Sequence, residues 1–431
     1  MNWVPAHALL LLVMTIISFY GAIYIEQRRE KYPRLMTGFF IVVLLLPLVT
    51  YKYFSFFVDT ISSLFSIEAL FGSGTMMRWI VPIGISFYTF QAIGYLVEVY
   101  RGQIKAECSF LNYALFLSFF PQTVSGPISK GVDLLPQIQH RNNFDMDLFC
   151  QGIKFFLWGM FLKMVLADRI GMYVDLVYNN LPAANGKACL FAIVLYSFQI
   201  YGDFSGYSLM AVGVAATFGI RLINNFNHPY IAISIRDFWK RWHISFTRWL
   251  TSNVYISLGG NRCSRLRQYC NIMATFLVSG LWHGASWNFL IWGAIHGVLQ
   301  IIEKIVGIQS NLSCSTSMKR LYKIVRMLMT FVVVSIAWVF FRLTNFSDAF
   351  IVFHKVFFEF KGDIPLLSGQ YTMKYIAFAL FVVVLRTLYD VRIKRLYPSI
   401  RRYGLAWYIS LVFMILLIGV LDSGQFIYGG F

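Results

Sequence analysis

Charge is scarce along this chain, and acid is scarcer still. Only 13% of the 431 residues are charged, with Asp plus Glu at 19 against 37 Lys plus Arg, while 58% are hydrophobic. That balance excludes a soluble domain and a disordered one alike. Cysteine is sparse too. Of the six, Cys108, Cys150, Cys189 and Cys314 stand alone and Cys263 with Cys270 lacks a CxxC partner, so neither a disulfide framework nor a structural zinc site is indicated. The strict alternation over ~10-residue segments that an outer-membrane barrel requires is missing. So are a P-loop, a dinucleotide fingerprint, HExxH and the carboxylate cluster of a two-metal site, and no metal is expected. No zinc-finger or single-strand-binding pattern accompanies the net charge of +18, and no nucleic-acid partner is expected. Neither half of the chain repeats the other, which speaks for one membrane domain over residues 1–431.

What the chain does have is long apolar runs. They lie at about Val4 to Ile25, Met36 to Val58, Trp79 to Tyr100, Phe110 to Ile128, Phe149 to Leu166, Leu190 to Ile220, Ile272 to Ile302, Met327 to Phe341, Tyr375 to Leu388 and Leu405 to Leu421. A spanning helix takes ~20 mostly apolar residues, so these runs predict an all-α polytopic membrane protein with about 9–12 transmembrane helices. Leu190 to Ile220 and Ile272 to Ile302 are each long enough for more than one helix. Pro and Gly within Phe119 to Pro127 predict a broken or re-entrant element. N-terminal spans fall in 4–58 and C-terminal spans in 327–421. The first run has no basic n-region, and Ala6-His7-Ala8 precedes it instead of following it, so it is expected to remain as a span. Arg28, Arg29, Lys31 and Arg34 place its far end in the cytoplasm, and Arg392, Lys394, Arg395, Arg401 and Arg402 argue that the final span begins there.

Arg221 to Tyr269 differs from the rest, with eight Arg or Lys against one acid, Asp237. It should face the cytoplasm. Within it, Ser234 to Leu250 mixes Phe238, Trp239, Trp242, Phe246 and Trp249 with basic residues, which predicts a helix lying in the membrane interface, its aromatic side in lipid or protein. One reading is an anchor among membrane lipids; the other is a cytoplasmic mouth drawing in an anionic donor, with Lys240 and Arg241 as its binding cations. Composition alone favours the anchor.

Ionisable groups inside apolar runs are expensive and mark candidate sites. His283 is the foremost, bracketed by Gly280 and Gly284, which leave room for a ligand or a neighbouring backbone; the competing reading is an imidazole that bonds a carbonyl on an adjacent helix. His243 follows Trp242 in the basic stretch and reads equally as a solvated or headgroup contact. His296 does not share the i, i+4 spacing of a metal pair with His283 and reads as packing. Asp203, the only charge in the run from Leu190 to Ile220, would orient an imidazole, cap a broken helix or pair for packing, and packing is the commoner role. Ser205 sits in Gly-x-x-Ser-Gly, not the Gly-x-Ser-x-Gly of a nucleophile elbow. A histidine without a nucleophile or metal suits one reaction: taking the proton of a hydroxyl that attacks an activated acyl group, such as a thioester, and passing it to the leaving thiolate. Trp282 or Asn288 would then stabilise the oxyanion. A transporter relaying protons through buried His and Asp is the alternative of another class, but the internal repeats common in transporters are absent.

Several stretches, in order, then carry a resemblance: Gly94 to Gly102, Ser118 to Gln122 with Ser125 to Pro127, Asp203 to Ser208, Asn225 to Tyr230, Phe238 to Ser245, Leu258 to Arg262 and Gly280 to Gly284. Over about 79–300 the chain resembles the membrane-bound O-acyltransferases, and within them the bacterial branch typified by the membrane subunit of alginate O-acetylation. The resemblance implies that His283 is the essential histidine and His243 the second. It implies a ring of tilted helices around a central tunnel, with His283 at mid-depth in a passage open to both faces. It further implies acetyl-CoA or another acyl thioester as co-substrate with no bound cofactor, a polysaccharide acceptor, an extracytoplasmic SGNH-type partner, and a place in the bacterial cytoplasmic membrane. D-alanyl transfer to teichoic acid from a carrier-protein thioester is the rival within the family; Leu258-Gly259-Gly260-Asn261-Arg262 favours the acetyl branch. Lys240 stands where many relatives have Arg. The first 75 residues and Thr344 to Gln370 match nothing in the resemblance and are candidates for partner contact, while Gln425 to Tyr428 resembles the branch's usual ending.

Overall fold

The computed structural model describes residues 5–65, 81–123, 126–140, 143–307, 316–362, 370–393 and 404–421, and these residues form helices and connections with no strand among them. In chain order they are α1 (Pro5–Gln27), α2 (Pro33–Leu48), a π-helical turn (Val49–Tyr53), α3 (Phe54–Phe65), α4 (Ile85–Tyr100), α5 (Phe110–Ser118), α6 (Phe120–Thr123) and α7 (Gly131–Gln139). Next come α8 (Met146–Met160), a π-helical stretch (Phe161–Ala167), α9 (Asp168–Tyr178), α10 (Gly186–Thr217), α11 (Ile235–Arg241) and α12 (Ile244–Leu250). The remainder are α13 (Arg265–His283), α14 (Trp287–Val306), α15 (Thr316–Arg342), α16 (Phe346–Phe358), α17 (Gln370–Leu388) and α18 (Gly404–Ile418).

Among the described residues six stretches are long and apolar enough to cross a membrane: His7–Gln27, Pro33–Ser63, Met146–Tyr178, Gly186–Thr217, Trp287–Val306 and Arg320–Arg342. The chain is a multi-pass membrane protein. Not every apolar run is among these six, and α4 shows a physical reason. At 1.5 Å per residue the 16 residues of α4 rise about 24 Å, short of the ~30 Å hydrocarbon core. Every residue from Ile85 to Val99 is buried, with α1 and α2 packed against this helix; its apolar run marks the protein interior, not lipid. Leu190 to Ile220 likewise yields the single helix α10 instead of two, whereas Ile272 to Ile302 does divide, into α13 and α14. The break expected around Pro121 is seen as α5, then the four-residue α6; Val124 and Ser125 lie outside the described residues, as do Lys394, Arg395, Arg401, Arg402 and Gln425 to Tyr428.

α10 is the hub, packing on α8, α9, α15 and α16. Small residues make the closest of these contacts possible. A Cβ on Gly152 would stand 2.6 Å from the Gly213 carbonyl oxygen and one on Gly213 2.6 Å from that of Gly152, so α8 and α10 meet backbone to backbone.

Candidate active site

The expected interfacial helix over Ser234 to Leu250 is two short helices, α11 and α12, and its aromatic residues are inside the protein: Phe238, Trp239, Trp242, Phe246 and Trp249 are all buried. α11 is well terminated. Ser234 accepts from the Asp237 N–H, the Glu303 carboxylate takes the N–H groups of Ile235 and Arg236, and Lys240 and Arg241 occupy the last turn. The chain then extends at Trp242 and turns left-handed at His243 (φ 43°, ψ 56°), a conformation that costs a non-glycine residue energy and persists where surroundings fix it. Asn225 does the fixing. Its backbone carbonyl accepts from Ile244 N–H at 2.9 Å, and its side-chain oxygen accepts from the Ser245 N–H and hydroxyl.

His283 closes α13. Gly284 is extended and Ser286 caps α14, so the chain reverses within three residues. The room that Gly280 and Gly284 leave is used by protein: a Cβ at Gly280 would fall 2.2 Å from the Phe289 carbonyl oxygen, and one at Gly284 2.2 Å from the Phe289 ring. The reversal brings the two histidines to one compartment although 40 positions separate them in sequence. His243 and Trp282 lie 5.7 Å apart by ring centroids, Trp282 and His283 4.8 Å, and Phe246 bridges both histidines at 4.9 and 5.8 Å.

This compartment is closed. His283 is 2% exposed and His243 0%, and Trp282, Trp292, Phe246 and Phe341 ring His283 with centroids at 4.8 to 5.8 Å. The passage open to both faces, expected around His283, is therefore filled here by aromatic side chains. Even so, polar atoms concentrate in it. Both ring nitrogens of His243, the indole N–H of Trp282 and of Trp292, and the Ser279 hydroxyl are buried with no hydrogen-bond partner. Buried polar groups are ordinarily satisfied, so such a concentration marks a place built for polar contact with something else.

The other sequence candidates fall elsewhere. Asn288 donates to the Leu343 carbonyl at 2.6 Å, tying α14 to the end of α15, so its amide serves the fold before any oxyanion. Asp203 pairs with Lys163 at 2.6 Å. Arg241 is held by Asp237 at 2.9 Å and Lys240 is exposed. His296 packs in the core, where its Nδ1 accepts from the Trp239 indole. Three lysines are buried that the sequence reading does not single out, Lys52, Lys163 and Lys355, and the first two bear on the helices described here. Lys52 and Lys163 each lie within an apolar run, the signal that singles out His283, and each sits on a π-helical segment. Lys52 reaches the site: its ammonium donates to the Trp282 carbonyl at 2.6 Å.

A cleft of about 260 Å³ lies on the basic side, between Ser129, Lys130, Asp133, Arg221, Ser245 and Arg248 among others. Ser245 connects it to the histidines. It lines the cleft while standing two residues from His243, and its hydroxyl accepts from Ile128 N–H.

The sequence model of the membrane-bound O-acyltransferase family matches residues 99–344. The chain is 37% identical over 358 residues to a probable alginate O-acetylase of Azotobacter vinelandii, covering 82% of this chain and 69% of that one. It is 33% identical over 374 residues to a peptidoglycan O-acetyltransferase of Helicobacter pylori, covering 80% and 69%. A teichoic acid D-alanyltransferase of Streptococcus thermophilus is 30% identical over 240 residues, covering 51% and 56%. Other probable alginate O-acetylases are matched over as little as 53% of their own length.

Proposed function

The chain belongs to the membrane-bound O-acyltransferase family and is a membrane acyltransferase, and on that premise we propose that it moves an acetyl group from a cytoplasmic thioester, acetyl-CoA, toward a polysaccharide outside the bacterial cytoplasmic membrane, an SGNH-type partner completing the transfer. The observation that carries this reading is the meeting of His243 and His283 around one indole in a compartment rich in unpartnered polar atoms. His283 acts as general base. It removes the proton of the acceptor hydroxyl as that oxygen attacks the thioester carbonyl; the Trp282 indole N–H donates to the oxyanion; and when the carbon–sulfur bond breaks, the imidazolium returns the proton to the departing thiolate. The products are an ester and a thiol. His243 assists as a second polar contact to the reacting groups. Because the rings of Phe246 and Trp282 pack 4.2 Å apart between the two histidines, both must swing aside for substrate to enter.

The cleft beside Ser245 suits the phosphate-bearing end of the donor, since Lys130, Arg221 and Arg248 there outnumber Asp133. Arg248→Glu is expected to raise the KM for acetyl-CoA about tenfold with kcat little changed, and the effect should shrink at high salt, as for any exposed charge. A KM insensitive to that reversal would remove the cleft from the donor's path. The function itself is tested by mass spectrometry of surface glycans from cells with and without the gene. Loss of ester-linked acetyl bears it out; loss of ester-linked alanine assigns the chain to the D-alanyl reaction named for the Streptococcus relative.

A further inference from the structure

We propose that Lys52, on the π-helical turn that precedes α3, is a positioning residue for the acyl-transfer centre, acting through the backbone of Trp282 and His283. The inference rests on the acyltransferase reading above and adds to it a residue that lies outside the segment matched by the family.

α13 ends abruptly. Its last carbonyls have no following helical N–H, and Gly284 is extended (φ −175°) instead of adopting the left-handed cap that satisfies such groups. Two consecutive side chains from the N-terminal hairpin take that role. The Tyr53 hydroxyl donates to the Leu281 carbonyl at 2.7 Å, and the Lys52 ammonium donates to the Trp282 carbonyl at 2.6 Å and to the Ser86 hydroxyl at 3.3 Å. Adjacent residues of an α-helix point about 100° apart; the π-helical winding at Val49–Tyr53, two residues after Pro47, accompanies the presentation of both to one partner helix.

The arrangement is costly for mere packing. Lys52 is 8% exposed and, among the described residues, makes no ion pair with a carboxylate. A cation there is favoured by the negative end of the α13 dipole, yet a neutral donor such as Tyr53 would satisfy a carbonyl at lower desolvation cost. What the lysine adds is a strong, charge-assisted grip on the one peptide group that joins Trp282 to His283. That peptide carries on one side the indole N–H that would meet the oxyanion and on the other the imidazole that would take the proton. Holding it sets both groups at once.

The test compares wild type, Lys52→Met, Lys52→Arg and Tyr53→Phe in nanodiscs, reading acetyl transfer and amide hydrogen exchange of the 278–285 segment. Lys52→Met should lose about 10²-fold in kcat, the penalty of a reacting group misplaced by about 1 Å, with the KM for acetyl-CoA unchanged and exchange in 278–285 accelerated. Lys52→Arg should recover part of the rate, and Tyr53→Phe should show a smaller loss of the same kind. A Lys52→Met protein with kcat within about threefold of wild type and unaltered exchange overturns the proposal. Should that variant fail to fold, Tyr53→Phe decides, and unaltered rate and exchange there overturn it too. If wild type transfers nothing from acetyl-CoA, the donor assignment has failed, while the exchange data still report whether Lys52 holds the end of α13.

Discussion

His283→Ala is expected to lower acyl transfer by about 10²–10⁴-fold, the range by which a positioned acid–base group accelerates proton transfer, while leaving a folded protein. The imidazole sits among Trp282, Trp292, Phe246, Phe289 and Phe341, contributed by α12, α13, α14 and α15. Truncation therefore opens a small cavity without unseating these helices. Binding of acetyl-CoA at the basic cleft involves other residues, so KM should stay near that of wild type and kcat should carry the loss. Two controls sharpen the result. His296→Ala removes an equally buried imidazole from the same aromatic region and should leave the chemistry intact; His243→Ala should cost rate, but less than His283→Ala. Measured in nanodiscs with a soluble alcohol acceptor, a folded His283→Ala protein at full turnover would remove the general base from this ring and with it the proposed mechanism.

How much of this was legible in the sequence depends on what each signal reports. Apolar runs give the class, but a run does not say whether it is buried against protein or in lipid, because both draw on the same residues; α4 is the clearest case, buried from Ile85 to Val99 with α1 and α2 packed against it. The motifs around His283 and His243 single out both residues in the sequence. The meeting of the two was not legible there, since it depends on the reversal at Gly284 and on the left-handed turn at His243, a conformation that local propensity opposes and the Asn225 bonds from another segment enforce. Gly280 and Gly284 do leave space, and its occupant is Phe289. Lys52 carried the same signal as His283, an ionisable group in an apolar run. Its role needed the structure, since its partner is a carbonyl 230 positions away.

Lys163→Met is expected to be the most destabilising single change in the membrane region, and Asp203→Asn one of the mildest at a buried acid. Lys163 lies on the π-helical stretch Phe161–Ala167 and bonds two carboxylates, Asp168 at 2.7 Å and Asp203 at 2.6 Å. Residues five apart on an α-helix diverge by about 140°, whereas i→i+5 winding turns Lys163 and Asp168 to one side. The side chains of all three groups are at most 7% exposed. Removing the cation leaves two buried like charges facing each other, for which about 3–5 kcal/mol is the usual loss when a buried pair is broken from one side. That is a large part of the ~5–15 kcal/mol that holds a typical domain together. Asp203→Asn keeps the Lys163–Asp168 pair and a polar group on the ammonium, so both stability and acyl transfer should stay close to wild type. Thermal midpoints and the monodisperse fraction in detergent separate the two variants. A stable Lys163→Met would show that the triad is not holding α8, α9 and α10 together. A folded Asp203→Asn without activity would place Asp203 in the proton path to the histidines, despite the Lys163 ammonium that now occupies its carboxylate.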